Sequence, residues 1–123
     1  MNDISSEAIQ EKNNLLLDMQ SIMLSTIDKM GLPNASYAPS VIDQEGHFYI
    51  YISELSKHTG NLLDNPDASI MVIEDESQSE NLFARKRFTI KAESVELKRD
   101  SDEWLKNMEL MQNKFGESIK YLR

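Results

Sequence analysis

Two short turns that contain glycine divide residues 21–53 into three β-forming segments. The first segment, 21–28, is followed by Gly31, and the second, 33–43, is followed by Gly46. The third segment, 47–53, is rich in aromatic and β-branched residues. Glycine supplies the positive φ that tight turns between paired strands need. The spacing therefore predicts an antiparallel three-strand meander, which limits the chain to folds that contain such a sheet.

The rest of the chain adds helices and two further strands. Helical spacing of apolar residues and capping signals predict helices at 4–19 (within an N-terminal segment 1–20), 55–64 and 100–122, while apolar content predicts strands at 68–73 and 82–97. This order fits a small antiparallel barrel with outer helices. We predict one mainly β domain over residues 1–123, with its strands within 21–98.

Two faces in this scheme are predicted to pack within the protein. The last helix carries an apolar stripe made of Trp104, Met108, Met111, Phe115, Ile119 and Leu122. Asp102 and Glu103 stand in its first turn, where the helix dipole favours carboxylates. On the third strand Tyr49 and Tyr51 share one face, and we expect both to serve core or interface packing.

Composition excludes several classes of function. A net charge of −8 argues against general nucleic-acid binding, which needs a basic surface. The absence of cysteine excludes disulfides, thiolate metal sites and a cysteine nucleophile. No apolar run is long enough to cross a bilayer, and the first residues lack the features of a signal peptide. We expect a cytoplasmic protein that does not associate with membranes.

No conventional catalytic pattern is present. The chain has two histidines, His47 and His58, and they occur in no metalloprotease motif. We expect His47 to face solvent and expect no metal site. No catalytic residue is assigned from the sequence.

Two groups of residues are suited to an anion. A predicted helix starts beside Ser53, Lys57 and His58, and free N–H groups at a helix start favour phosphate or carboxylate. On the later strand, two-residue periodicity would place Arg85 and Arg87 on one face as a fork for carboxylates or phosphates. The alternative is that the basic triplet 85–87 is a solvated charge run on a strand edge.

Several motifs, in order, carry a family resemblance. They are 34–39 (Asn-Ala-Ser-Tyr-Ala-Pro), 49–62 with its His-Thr pair before Asn-Leu, 65–69 (Asn-Pro-Asp-Ala-Ser), 73–76 (Ile-Glu-Asp-Glu), 83–89 (Phe-Ala-Arg-Lys-Arg-Phe-Thr), 99–101 (Arg-Asp-Ser) and 114–117 (Lys-Phe-Gly-Glu). Over about residues 24–115 the chain resembles the heme-utilisation branch of the pyridoxamine 5'-phosphate oxidase-like, FMN-binding split-barrel family.

This resemblance implies a homodimeric antiparallel split β-barrel with heme, or alternatively FMN, at the subunit interface. In the heme branch a basic residue of the Ala-Arg-x-Arg motif lies near the heme propionates, which implies Arg85 or Arg87. The threonine that the family carries on its first strand corresponds to Thr26. For FMN, the resemblance points to Ser53 and Lys57.

The chain departs from the family at its end. Family members continue into further strands, where a histidine serves as the axial heme ligand, whereas this sequence ends at Arg123. His47 and His58 do not match that ligand position, so we expect a weak, catalytically poor heme complex from these residues. Three functions remain open: heme handling with or without oxidative degradation, FMN-dependent oxidoreduction, and a split-barrel ligand carrier without catalysis.

Overall fold

The computed structural model describes residues 2–51 and 55–116, and of residues 2–5 only the helical backbone. In chain order these residues form α1 (Asn2–Asp18), β1 (Ser21–Ile27), β2 (Pro33–Ile42), β3 (Phe48–Ile50), α2 (Lys57–Asp64), β4 (Asp67–Ile73), β5 (Arg87–Glu93) and α3 (Asp102–Phe115), with 3₁₀ turns at Glu76–Gln78 and Leu82–Ala84. Among the described residues, no helix combines the length and hydropathy needed to span a membrane.

The five strands form one antiparallel sheet in the order β3-β2-β1-β4-β5. The predicted meander β1-β2-β3 is confirmed, and α2 carries the chain back so that β4 pairs with the free edge of β1. The sheet curls into a half-barrel accompanied by three helices. The predicted mainly β class with flanking helices is therefore confirmed.

The inner face of the sheet holds the main core. Its buried members are Met19, Ile22, Leu24, Ile70 and Val72. Leu15 and Leu16 of α1 and Leu62 of α2 pack against this cluster, so both helices cover the inner face. Removal of this apolar surface from water is the main force that holds the half-barrel closed on that side.

Helix α3 covers one end of the opposite, outer face. A second cluster joins buried Val41 and Met111, with Tyr49, Tyr51, Met108, Leu110 and Phe115 packed around them. The helix begins where the Ser101 hydroxyl accepts a 3.2 Å hydrogen bond from the backbone N–H of Trp104. This packing confirms the predicted role of the tyrosines and of Met108, Met111 and Phe115 in the stripe. Trp104 is half-buried outside this cluster, and Ile119 and Leu122 lie outside the described residues.

Two predicted boundaries need correction. The strand predicted at 82–97 is shorter, because the Asn81 side chain accepts a hydrogen bond from the Phe83 N–H and starts the turn Leu82–Ala84, so pairing begins at Arg87. The helix predicted from residue 100 begins at Asp102, since Asp100 has a φ of 68° and Ser101 is the N-cap. It is described to Phe115, where Gly116 has a φ of 91°.

Candidate functional site

Arg87 opens β5 on the outer face of the sheet. It pairs with Ile73 of β4, and its side chain is exposed. Its guanidinium donates a 3.2 Å hydrogen bond to the Arg85 carbonyl oxygen. That contact leaves most of the five guanidinium N–H donors available to an incoming anion.

A row of mainly apolar, partly exposed side chains lies beside Arg87 on the same face. Strand register aligns Tyr37, Met23, Met71 and Thr89 across β2, β1, β4 and β5. Tyr37 is 67% exposed and Met23 is 45% exposed. We call these four residues and Arg87 the outer platform. Neighbouring strands lie about 4.8 Å apart, so the platform extends roughly 14 Å from β5 to β2.

Arg85 occupies a different environment. It precedes β5, and its Nε donates a 3.1 Å hydrogen bond to the Glu74 carbonyl oxygen. Its guanidinium also lies 3.9 Å from a Glu76 carboxylate oxygen, and the side chain is 23% exposed. The structure therefore uses Arg85 to hold the β4–β5 loop and does not place it beside Arg87 as a fork on one strand face.

A second candidate site is an open cleft at the start of α2. It has a volume of about 500 Å³ and is lined by Asp28, Lys29, Met30, Leu55, Ser56, Lys57, Gly60, Asn61 and Asp64. Each lysine faces a carboxylate: Lys57 Nζ lies 3.9 Å from Asp28 and Lys29 Nζ lies 3.8 Å from Asp64. The Ser56 hydroxyl makes no capping hydrogen bond. An anion could meet the helix start here, but it would compete with two carboxylates.

Two predicted site residues are buried beneath this cleft. Thr26 accepts a 3.0 Å hydrogen bond from the Asn61 side-chain amide. His58 Nδ1 lies 3.0 Å from the Ser36 hydroxyl, and burial lowers the pKa of this histidine. Thr26 and His58 therefore anchor α2 to β1 and β2. Ser53 lies outside the described residues.

Sequence reasoning missed the two partners, Ser36 and Asn61. Alternation along β2 did contain a signal. Ser36, Ala38 and Ser40 are two residues apart, so their side chains lie on the same, inward face of the strand. On the helix, Asn61 follows His58 at a spacing of three, which places both side chains on one face. Polar side chains on an inward face need hydrogen-bond partners. This requirement would have predicted a contact between α2 and the strand that carries Ser36.

His47 is exposed, as predicted, in the turn between β2 and β3. One nitrogen and two carboxylate oxygens from His47, Asp43 and Glu45 lie within 4.8 Å of one another. Asp43, however, already accepts hydrogen bonds from the backbone N–H groups of Glu45 and His47 and from the Tyr49 hydroxyl. These bonds lower the pKa of Asp43, the His47 N–H making the largest contribution. We read the group as a turn cap.

A curled antiparallel half-barrel with helices on its inner face and one sheet face open is the architecture of the split-barrel class. The family model of pyridoxamine 5'-phosphate oxidase matches residues 8–122, and the chain belongs to that family.

Relatives within this fold are associated with heme. The chain is 45% identical over 102 residues to the heme oxygenase HutZ of Vibrio cholerae serotype O1, a match that covers 83% of this chain and 57% of the relative. It is also similar to the crystal structure of HutZ, described as a heme storage protein, with a TM-score of 0.85, 41% identity, and coverage of 90% of this chain and 78% of that one. The crystal structure of Campylobacter jejuni ChuZ gives a TM-score of 0.83 and 33% identity, covering 94% and 48% of the two chains. The chain thus spans little more than half the length of its curated relative.

Proposed function

We propose that this chain is a heme-binding unit of a heme-utilisation protein. The observation that carries the proposal is the exposed Arg87 at the corner of a sheet face lined by methionine and tyrosine. Heme combines a flat apolar ring with anionic propionates, and the outer platform offers a surface for each. The similarity to HutZ over 83% of the chain supports the same function.

The negative net charge of the chain explains why heme binding would depend on a single arginine. The chain carries a net charge of −8, so a propionate approaching it needs a local cation. Arg85 hydrogen-bonds the Glu74 carbonyl oxygen and pairs with the Glu76 carboxylate. Lys86 Nζ lies 3.5 Å from a Glu11 carboxylate oxygen. Among the described residues, Arg87 hydrogen-bonds a backbone carbonyl and pairs with no carboxylate, unlike Arg85 and Lys86. We therefore assign the propionate contact to Arg87 and a loop-holding role to Arg85.

The described residues fit heme as an anionic, apolar ligand. His58 is buried against Ser36, and His47 lies in the turn with Asp43 and Glu45, so within residues 2–51 and 55–116 neither histidine is on the platform. When bound, heme would supply iron chemistry. Arg87 would orient its propionate, while Met23 and Met71 would shield the ring from water.

We also propose a homodimer that covers the outer face and holds the ligand at the subunit interface. Besides the platform, Ile27, Ala35 and Pro39 are exposed on β1 and β2. A contiguous apolar sheet face of this kind favours association, and a second copy is the partner that twofold symmetry provides. We place the dimer in the cytoplasm, consistent with a chain free of cysteine.

FMN is the second candidate ligand. The family match and the uncapped start of α2 favour it, since a phosphate could bind the free N–H groups near Ser56 and Lys57. The Lys57–Asp28 and Lys29–Asp64 pairs would oppose it. A split-barrel protein that carries a ligand without catalysis is the third candidate, and it would bind that ligand on the same outer platform.

The deciding experiment is a spectroscopic titration of the parent chain with heme and with FMN. Arg87→Ala should weaken heme binding roughly 10- to 100-fold, because a charge-assisted contact contributes about 1.5 to 3 kcal/mol. Lys91→Ala is the matched control, since Lys91 is an exposed cation two positions beyond Thr89 on the same strand face.

Unchanged heme affinity in Arg87→Ala would contradict the assignment of the propionate contact. FMN binding that responds to Lys57→Ala, in a chain that does not bind heme, would establish the second candidate. A parent chain that elutes as a 14.2 kDa monomer at micromolar concentration in size-exclusion chromatography with light scattering would contradict the dimer.

A further inference from the structure

Tyr37 is the aromatic residue of the outer platform. It is 67% exposed, although it lies in the middle of β2. Tyr49 and Tyr51, in contrast, pack against α3, and the Tyr49 hydroxyl donates a 2.9 Å hydrogen bond to Asp43. In the described part of the chain the Tyr37 hydroxyl has no such partner. The fold therefore makes no visible use of this ring, and the proposed function has assigned it no role.

Strand register places Tyr37 and Arg87 at opposite ends of the platform. Tyr37 pairs with Met23, Met23 with Met71, and Met71 with Thr89, which shares its strand face with Arg87. Three strand spacings separate β2 from β5, roughly 14 Å in total. The platform thus has a cationic end and an aromatic end, with two thioether side chains between them.

Heme has a matching polarity across its ring. Both propionates leave one edge of the macrocycle, whereas the opposite edge carries only methyl and vinyl groups. With a propionate at Arg87 and the ring over Met23 and Met71, the hydrocarbon edge is directed toward Tyr37. Aromatic systems favour offset-stacked or edge-to-face contacts with one another. A phenol ring at this end of the platform is therefore suited to contact the π-system of the macrocycle.

The packing of α3 leaves Tyr37 on the open part of its strand. Tyr37, Pro39 and Val41 share the outer face of β2, and Val41 is only 5% exposed beside Met111 of α3. The surface that β2 offers to a ligand therefore stops at α3. On that open surface the neighbours of Tyr37 along the strand, Ala35 and Pro39, have smaller side chains that leave the phenol ring accessible.

We propose that Tyr37 is a specificity-determining residue of the heme site, with its ring packed against the hydrocarbon edge of the macrocycle. This inference rests on the proposed function and names the residue that distinguishes a flat aromatic ligand from other anions. The ring makes the contact, so the hydroxyl is dispensable. Because Tyr37 is largely exposed, its variants should fold as the parent does.

Titrations of the parent, Tyr37→Ala and Tyr37→Phe with heme and with iron-free protoporphyrin, followed by absorbance, test this inference. Iron-free protoporphyrin keeps the macrocycle and the propionates, so it separates a ring contact from iron ligation. We expect Tyr37→Ala to bind both porphyrins roughly 10-fold more weakly and Tyr37→Phe to bind both as the parent does.

Ile27→Ala is the matched control. Ile27 is an apolar residue, 37% exposed, on the outer face of β1, and it pairs with Pro33 rather than with a member of the platform. Its removal should leave both affinities unchanged. Equal losses in Ile27→Ala and Tyr37→Ala would assign the effect to the apolar face as a whole and overturn the specific role of Tyr37.

The remaining outcomes separate this inference from the proposed function. Parental affinities in Tyr37→Ala, while heme binding still responds to Arg87→Ala, would overturn the role of Tyr37 and leave the heme site standing. A parent chain that binds no heme would overturn both. Weaker binding of heme but not of iron-free protoporphyrin in Tyr37→Phe would make the hydroxyl an iron ligand, which also overturns the stacking role.

Discussion

The side-chain amide of Asn61 donates a 3.0 Å hydrogen bond to the hydroxyl of Thr26, 35 residues earlier in the chain. Thr26 is wholly buried and Asn61 is 6% exposed. The bond joins α2 to β1, and the His58–Ser36 contact joins the same helix to β2. The cleft at the start of α2 therefore depends on two polar contacts buried beneath it.

Replacing Thr26 with valine should destabilise the fold. The substitution keeps the side-chain shape and leaves the buried Asn61 amide without this acceptor, so we expect the free energy of unfolding to fall by about 1 to 3 kcal/mol. Urea denaturation measures the change. Ser25→Ala, an exposed neighbour on the outer face, should change it by less than about 0.5 kcal/mol. A Thr26→Val protein of parental stability that loses heme affinity would mean that the hydroxyl contacts ligand.

Stability should decrease as the pH falls below about 6.5, the ordinary pKa of histidine. Burial lowers the pKa of His58 in the folded state, so below that pH the unfolded chain binds a proton that the folded chain does not. His58 leaves the free energy of unfolding unchanged above its pKa in the unfolded chain. It lowers that free energy as the pH falls from this pKa toward the pKa of the folded state. Thermal unfolding between pH 7.5 and 5.5 should therefore show a falling midpoint.

His58→Gln should flatten that slope, since the glutamine amide can still hydrogen-bond Ser36 but does not titrate in this range. The assignment to His58 fails if His58→Gln keeps the parental slope.

Lys114 fixes α3 to the sheet. Its ammonium donates 2.7 Å hydrogen bonds to the carbonyl oxygens of Met19 and Ser40, and burial lowers the pKa of this lysine. Lys114→Met would leave both carbonyls without this donor, and we expect a loss of about 1 to 3 kcal/mol in the free energy of unfolding. Lys114→Arg, which still supplies donors, should lose less. Equal losses would show that the hydrogen bonds are not the cause.

Met111 is the centre of the second core cluster, at 3% exposure beside Val41. Met111→Ala should cost about 2 to 5 kcal/mol, because truncation leaves a cavity between α3 and the sheet. Leu105→Ala, on the same helix but 51% exposed, should cost much less. Chemical denaturation of the two variants compares them directly, and similar losses would argue against α3 packing on the sheet.

Local signals in the sequence predicted most of the fold. Gly31 and Gly46 do adopt positive φ in the turns between β1, β2 and β3, and alternation in β1 matches its burial. These features depend on neighbours within a few residues, so they can be read without tertiary structure. The shortened β5 is the exception, since the Asn81 side chain competed with strand pairing.

The candidate site was less predictable. The sequence indicated that Arg85 and Arg87 could act together, but the Glu74 carbonyl holds Arg85 in the loop and only Arg87 reaches the outer face. The spacing of the two residues does not predict either outcome, because the Glu74 carbonyl, directly after β4, comes close to Arg85 only when β4 and β5 pair.

The sequence by itself determined the mainly β class, the meander, the helix at each end and the residues that could meet an anion. The tertiary structure decided which of those residues are free to do so. Thr26 and His58 were drawn into buried hydrogen bonds with Asn61 and Ser36, whereas Arg87 stayed exposed beside Met23 and Tyr37. The physical reason is that a buried polar group must find a partner wherever packing places it, and packing joins residues that are far apart in the chain.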